Sequence, residues 1–471
     1  MSVTTARHSR EVTQSYDPDD PGGSGRSFGL VPASALVVGS VIGTGVFALP
    51  SALAAFGPIS LVAFGLVTIG ALALALTFRA LNVRLPESGG PYVYARDAFG
   101  DFAGFLNAWS YWITAWAGNA AIVVAWVGYV EVFWNTGHNR TGSILIAMAG
   151  LWVPAAVNLA GLRSIALFQV VTTVLKFLPL LLVAVIGVFF IKASNFGAFN
   201  ATGGSAWSAI TSAAALALFS YLGIETASVV AGRVRNPERN VGRATVLGTI
   251  ACAVVYLLGT LAVFGTVPHG DLVASTAPFT DSANAIFGGR WAGDVVGAAA
   301  VVSGFGALVG WTLIVAEMPQ AAARDGLFPT VFARENRRGI PAFGVVSSTL
   351  LASLLTVVSY TRFDQVFTTI VLLSVLTAVI PYLFSSAAQV YWLLSRRGVS
   401  PVHLTRDLTL AVLALVFSFW ALEGSGAQAV FYGVFGLFLG VPVYVVVKVS
   451  RGEYGEPAAL PVPATTVGAE R

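Results

Sequence analysis

From about residue 29 to residue 450 the chain alternates long apolar runs with short polar connections. A run of roughly 18 or more residues dominated by Ala, Val, Leu, Ile, Phe and Gly is long enough, as helix, to cross about 30 Å of hydrocarbon. Twelve such runs are read, at about 29–55, 58–80, 99–133, 143–162, 165–191, 207–231, 244–267, 293–320, 341–360, 365–394, 408–422 and 427–449. The first starts near Phe28, exceeds the apolar core of a signal peptide and has no small-residue cleavage site after a short core, so it is read as a retained span. Residues 1–28 mix Ser, Asp, Gly and Arg with almost no apolar content and cannot bury enough surface to offset ordering. They and residues 451–471 are expected to be disordered tails flanking one twelve-helix domain at 29–450.

Composition turns this pattern into a class. Of 471 residues, 56% are hydrophobic and 10% charged, against about 25% charged in an ordinary soluble domain. The chain is therefore read as an all-α polytopic membrane protein. A soluble enzyme, a nucleic-acid binder and a secreted disulfide scaffold are excluded, the last because Cys252 is the single cysteine. The net charge of +4 is a topology signal. Of the 26 Lys and Arg, all except Arg140, Lys192, Arg290, Arg362 and the mid-span Lys176 fall in the two tails or the even-numbered connections. Cytoplasmic loops carry such an excess, so both termini are expected in the cytoplasm, with the chain multi-pass in the cytoplasmic (inner) membrane. A miscount by one span would scramble that sorting.

Two runs carry polar interruptions at mid-membrane depth. Span one reads Gly39-Ser40-Val41-Ile42-Gly43-Thr44-Gly45, and span six reads Phe219-Ser220-Tyr221-Leu222-Gly223-Ile224-Glu225-Thr226. Small residues of this kind also build packing faces between membrane helices. Two broken helices five spans apart, however, are the mark of an inverted five-helix repeat with a ligand site at the midplane. Ser40, Gly43, Thr44, Gly45, Phe219, Ser220 and Leu222 are accordingly candidate substrate contacts. Lys176 and Glu225 are the two ionisable residues clearly inside spans, where an unpaired charge costs at least about 2.5 to 3.5 kcal/mol. Lys176 must face protein or a water cavity, as a functional charge or a structural tie; Glu225 is read as a gate residue or as facing a loop. Glu131 and Glu317, near span ends, are read as touching the interface. Trp311 lies well inside its span, as a site wall or as lipid-facing packing, and an aromatic wall suits an amine through cation–π contact. His8, His138, His269 and His403 all fall in tails or connections. No metalloprotease, serine-hydrolase or phosphate-loop motif is present, so neither an enzyme nor an ATP-driven pump is expected.

The runs Gly43-Thr44-Gly45-Val46-Phe47, Pro86-Glu87-Ser88-Gly89-Gly90-Pro91-Tyr92 and Asn236-Pro237-Glu238-Arg239-Asn240 resemble signatures of the amino acid/polyamine/organocation superfamily. The resemblance spans about 29–450 and implies the leucine-transporter-like fold, a 5+5 inverted repeat with helices 1 and 6 broken. Ser110-Tyr111-Trp112, Gly118-Asn119, Gly223 to Ser228, Gly310-Trp311-Thr312-Leu313 and Ile380-Pro381-Tyr382-Leu383 are most similar to the basic amino acid/polyamine antiporters, the arginine/agmatine type among them. By that likeness Gly43, Thr44 and Gly45 hold the substrate carboxylate, Trp311 stacks on its side chain, and Thr114, Asn119 and Ser374 meet its distal end. Tyr111, Glu225 and Tyr382 serve gating and proton sensing. Phe219 stands where the arginine exchanger has a gating Trp, so the likeness stops short of arginine specificity. Lys176 matches proton-coupled, sodium-independent relatives, where a lysine replaces a bound sodium. The implied function is sodium-independent exchange of an amino acid or its amine; the alternative is a proton-coupled uptake permease for neutral amino acids. The expected partners are that small molecule, the lipid bilayer and a second copy in a homodimer, with no nucleic acid, cofactor or metal.

Overall fold

The computed structural model describes residues 29–43, 45–161, 165–362, 366–395 and 401–452. Thr44 and both expected tails, apart from an exposed turn at 451–452, lie outside them. All regular structure among the described residues is helical. The first apolar run forms α1 (Leu30–Val41) and α2 (Gly45–Ala54), separated where Ile42 leaves helical geometry at ψ 77°. There follow α3 (Ile59–Arg84), α4 (Pro91–Phe99), α5 (Asp101–Val130), α6 (Arg140–Leu159) and α7 (Ile165–Gly187). The sixth run is again split, into α8 (Ala206–Phe219) and the single turn α9 (Thr226–Val229). Then come α10 (Pro237–Thr266), α11 (His269–Ala274), α12 (Pro278–Phe287), α13 (Trp291–Arg324), α14 (Ala342–Arg362), α15 (Val366–Ser395) and α16 (Pro401–Gly424). The last run is divided into α17 (Gly426–Phe438) and α18 (Gly440–Ser450).

Eleven segments among the described residues are long and apolar enough to cross a membrane, taking α1 with α2 and α17 with α18 as one each. The sixth expected run is present as the 14-residue apolar α8 and its break, so every run read from the sequence carries helix. Three differences have local causes. Helix α16 starts at Pro401, ahead of the expected 408, because the helix continues through the Arg406–Asp407 ion pair where apolar content alone would stop it. The final run is interrupted at Leu439 because Pro442 lacks the N–H that would bond back to Phe438. Connections read as loops contain α4 and α12, each opening on a proline and closing on a glycine of positive φ, Gly100 at 89° and Gly288 at 71°.

Helix α5 is the axis of the bundle: 83% of its most apolar window is buried, against 17% for α17 and α18, so the latter pair faces the surroundings. It packs along α13 and α15, while α10 packs on α3, α1 and α7. Both breaks therefore sit inside the bundle, and α1 touches α9 directly.

Candidate functional site

A helix that stops inside a bundle leaves its last carbonyls without intrahelical partners, and each must find a donor. At the end of α1 three side chains from three helices supply them. Lys176 Nζ on α7 donates to Gly39 O at 2.8 Å, Trp311 Nε1 on α13 to Ser40 O at 2.9 Å, and the Tyr256 hydroxyl on α10 to Val41 O at 2.8 Å. Lys176 is 1% exposed, so its amine is held by the protein and not by solvent.

The second break closes onto the first. Gly223 has φ +109°, and a Cβ there would lie 3.0 Å from the Ser40 carbonyl carbon, so both the backbone conformation and the close approach require glycine. Its N–H donates to Glu225 Oε2 at 3.2 Å, and the Thr226 hydroxyl to Gly223 O at 2.7 Å. The Tyr382 hydroxyl on α15 donates to the same Glu225 oxygen at 2.8 Å. The buried Tyr111 hydroxyl on α5 lies beside Glu225 as well. Tyr111, Glu225 and Tyr382, each 1% exposed, thus form one cluster behind the break.

Between the breaks lies a narrow cavity in which about 20 Å³ admits the centre of a water-sized molecule. That is room for about one water. Of the substrate contacts expected from the sequence, the cavity brings together Ser40, Gly43, Gly45, Thr114, Phe219, Ser220, Leu222, Trp311 and Ser374. Thr44 lies outside the described residues. Asn119 is buried but does not line the cavity; Gly118 does, about 100° round the same helix. The wall also includes Val41, Val46 and Ile122, which sequence reasoning passed over. Thr114, Gly118 and Ile122 recur at a spacing of four, a one-face pattern on a helix that was a usable signal.

The polar wall of the cavity is built for acceptance. Thr114 Oγ1 donates towards Thr377 Oγ1 at 2.9 Å, and Ser374 Oγ donates to Thr114 O at 2.9 Å, clamping α5 to α15. With those protons engaged, the lone pairs are what these hydroxyls can offer a donor-rich group. No carboxylate is among the lining residues.

Phe219 caps this space: a Cβ on Gly45 would lie 2.3 Å from Phe219 Cε1. The other side of the ring meets Phe367 edge-on, centroids 6.1 Å apart. Beyond Phe367 opens a vestibule of about 770 Å³, lined among others by Ser51, Val124, Glu131, His138 and Tyr360. Here the structure corrects the reading of Glu131 as an interfacial residue. It is 6% exposed, pairs with His138 Nδ1 at 2.7 Å and accepts from Asn135 Nδ2 at 2.7 Å and from the Ser143 hydroxyl. A chain position at a span end does not reveal that the side chain turns inward. At the opposite end of the bundle, Asp325 on the α13 cap accepts from Tyr92 and Arg96 of α4, each at 2.8 Å, while Asp101 bridges Arg96 at 3.1 Å and Lys448 of α18 at 3.0 Å. Burial and the Asp325 charge push the Tyr92 phenol above its ordinary value, so it stays a donor in this chain of contacts.

Comparison with known proteins agrees with this arrangement. Residues 28–441 match the family model described as amino acid permease. The chain is 30% identical over 418 residues to the putrescine transporter PotE of Haemophilus influenzae, covering 88% of this chain and 96% of that protein. It is 31% identical over 454 residues to the arginine/ornithine antiporter of Pseudomonas aeruginosa, covering 92% and 93%. It is 29% identical over 441 residues to the arginine/agmatine antiporter of Chlamydia pneumoniae, covering 90% of each. With a match that runs from just ahead of α1 through both breaks to the start of α18, the chain belongs to the amino acid permease family of the amino acid/polyamine/organocation superfamily.

Proposed function

We propose that this protein is a sodium-independent exchanger of an amino acid, or of a basic amino acid for its decarboxylated amine, working by alternating access with both termini cytoplasmic. The observation that carries the reading is the narrow cavity held between two abutting helix breaks, with Phe219 packed over it on the side of the vestibule. A substrate carboxylate would sit where α2 opens at Gly45, because the first N–H groups of a helix have no partner within the helix and its N-terminus carries partial positive charge. Its side chain would lie along Trp311 towards the lone pairs of Thr114 and Ser374. The antiporter names of the relatives favour exchange over one-way uptake of neutral amino acids. The Tyr92–Asp325–Arg96 contacts at one end and the vestibule at the other fit a conformation drawn together on the cytoplasmic side, with Phe219 and Phe367 between the central cavity and the vestibule.

Variants at two positions test the roles. A binding screen over the amino acids and common polyamines on the purified protein should yield a cationic ligand. Trp311→Ala should then weaken that ligand by roughly two- to thirtyfold, the range of a cation–π contact of about 0.5 to 2 kcal/mol, and Trp311→Phe should keep part of the affinity. Unchanged binding in a well-folded Trp311→Ala protein excludes the ring as a site wall. Glu225→Gln keeps the shape but cannot titrate, so exchange measured from acid to neutral pH should lose most of its pH dependence while substrate still binds. Parallel profiles in wild type and variant would remove Glu225 as the proton-sensitive group.

A further inference from the structure

Helix α15 carries a proline in its interior, and that proline frees a carbonyl. Pro381 has no N–H, so Thr377 O cannot take the usual helical bond from the residue four positions on, and the proline ring crowds the same oxygen. Inside the bundle such an acceptor needs another donor. Ser110 of α5 supplies it: its hydroxyl, 0% exposed, donates to Thr377 O at 2.6 Å. Neither Ser110 nor Thr377 lines the central cavity.

The proline divides α15 into two parts with different partners. On the side of the cavity, Ser374 Oγ donates to Thr114 O at 2.9 Å and Thr377 Oγ1 accepts from Thr114 Oγ1 at 2.9 Å, which fastens that part to the substrate wall. Directly after the proline comes Tyr382, whose hydroxyl holds Glu225 behind the second break and whose ring meets Phe78 edge-on, centroids 5.8 Å apart. Ser110 grips the joint between the two. Ser110, Thr114 and Gly118 recur every four residues on α5, and the last two line the cavity, so one helix face carries both the substrate wall and the grip.

We propose that Ser110 is a positioning residue for exchange: by holding Thr377 O it passes the position of the cavity wall on to Tyr382, and so to the Tyr382–Glu225 contact behind the second break. The proposal rests on the exchange reading and on Tyr382 parting from Glu225 during the cycle. Without the Ser110 hydroxyl, the two parts of α15 meet at a joint that lacks one helical bond and has an unpaired carbonyl, and Tyr382 moves independently of what the cavity holds. The cavity keeps every lining residue and both contacts of Thr114 to α15. The loss therefore falls on turnover and not on affinity.

The test uses the full-length protein, purified for binding and in proteoliposomes for exchange, with putrescine and arginine as probes. Ser110→Ala should lower the exchange rate at saturating probe at least about fivefold while changing Kd by less than about twofold. Tyr382→Phe removes the hydroxyl through which Ser110 acts, so adding Ser110→Ala to it should lower the rate by no more than about a further twofold. A wild-type rate in Ser110→Ala overturns the proposal, as does a loss of affinity as large as the loss of rate, or a loss that multiplies in full with that of Tyr382→Phe. The hydrogen bond itself is tested without transport. Pro381→Ala returns an N–H at the position that serves Thr377 O within the helix. Ser110→Ala should then lower the melting temperature by about 2 to 5 °C in the wild-type background and by less than about half of that in the Pro381→Ala background. Equal falls in both backgrounds overturn the proposal. If the wild type exchanges neither probe, the exchange reading falls and the melting cycle decides on Ser110: unequal falls keep it as the residue that positions α15 at Pro381, and equal falls remove it.

Discussion

Replacing Lys176 with methionine is expected to lower exchange at least tenfold, and sodium is expected not to restore it. Methionine fills a similar volume but removes the donor that meets Gly39 O at 2.8 Å. A buried acceptor left without a partner costs about 1 to 3 kcal/mol, and more where the lost donor was charged. The protein can escape that penalty by letting α1 shift or extend, and either movement displaces Ser40, Gly43 and the Trp311 ring that bonds to Ser40 O. The loss should therefore appear in substrate binding as well as in rate. Lys176→Met with normal exchange would show the charge to be dispensable, and sodium-stimulated exchange by the unmodified protein would remove the idea that lysine stands in for a cation.

Gly45→Ala is the second large effect. Its added Cβ would sit 2.3 Å from Phe219 Cε1, well inside contact distance. Over-filling a packed interior in this way costs about 1 to 3 kcal/mol, equivalent to roughly five- to a hundredfold in affinity. Because the strain is between one methyl group and one ring, Phe219→Leu in the Gly45→Ala background should recover part of the lost binding, although Phe219→Leu alone weakens the cap. The double-mutant cycle on purified protein reads this directly. Additive losses would mean that the contact with Phe219 is not the source of the Gly45→Ala defect.

Both breaks were legible in the sequence because glycines and hydroxyls at mid-depth have few uses in a membrane helix other than packing and binding. Lys176 was legible as a charge that needed a partner. Its acceptor was not, since Gly39 lies 137 positions away and is a backbone atom with no sequence signature. The cavity wall was legible where a motif marked it, as at Trp311, or where the family likeness pointed, as at Ser374, and was missed at Val41, Val46 and Ile122, whose apolar side chains look like any lipid-facing residue. Asn119 stood out as a polar residue, yet the helix turns its neighbour Gly118 to the cavity. Helices α4 and α12 escaped because short connecting helices carry too few apolar residues for a span count, although the Pro start and Gly stop of each were in plain view. The inward turn of Glu131 depends on a loop that brings His138 back onto it, a tertiary fact.

The measurement that bears most directly on the central claim is counterflow in proteoliposomes. Vesicles holding the purified protein are preloaded with a high concentration of an unlabelled cationic ligand from the binding screen, then diluted into a trace of the same labelled compound without sodium. An exchanger that alternates access around the cavity between the two breaks accumulates label transiently above equilibrium, and vesicles loaded with buffer alone take up far less. Equal uptake into loaded and empty vesicles, or uptake that requires sodium, would contradict sodium-independent exchange.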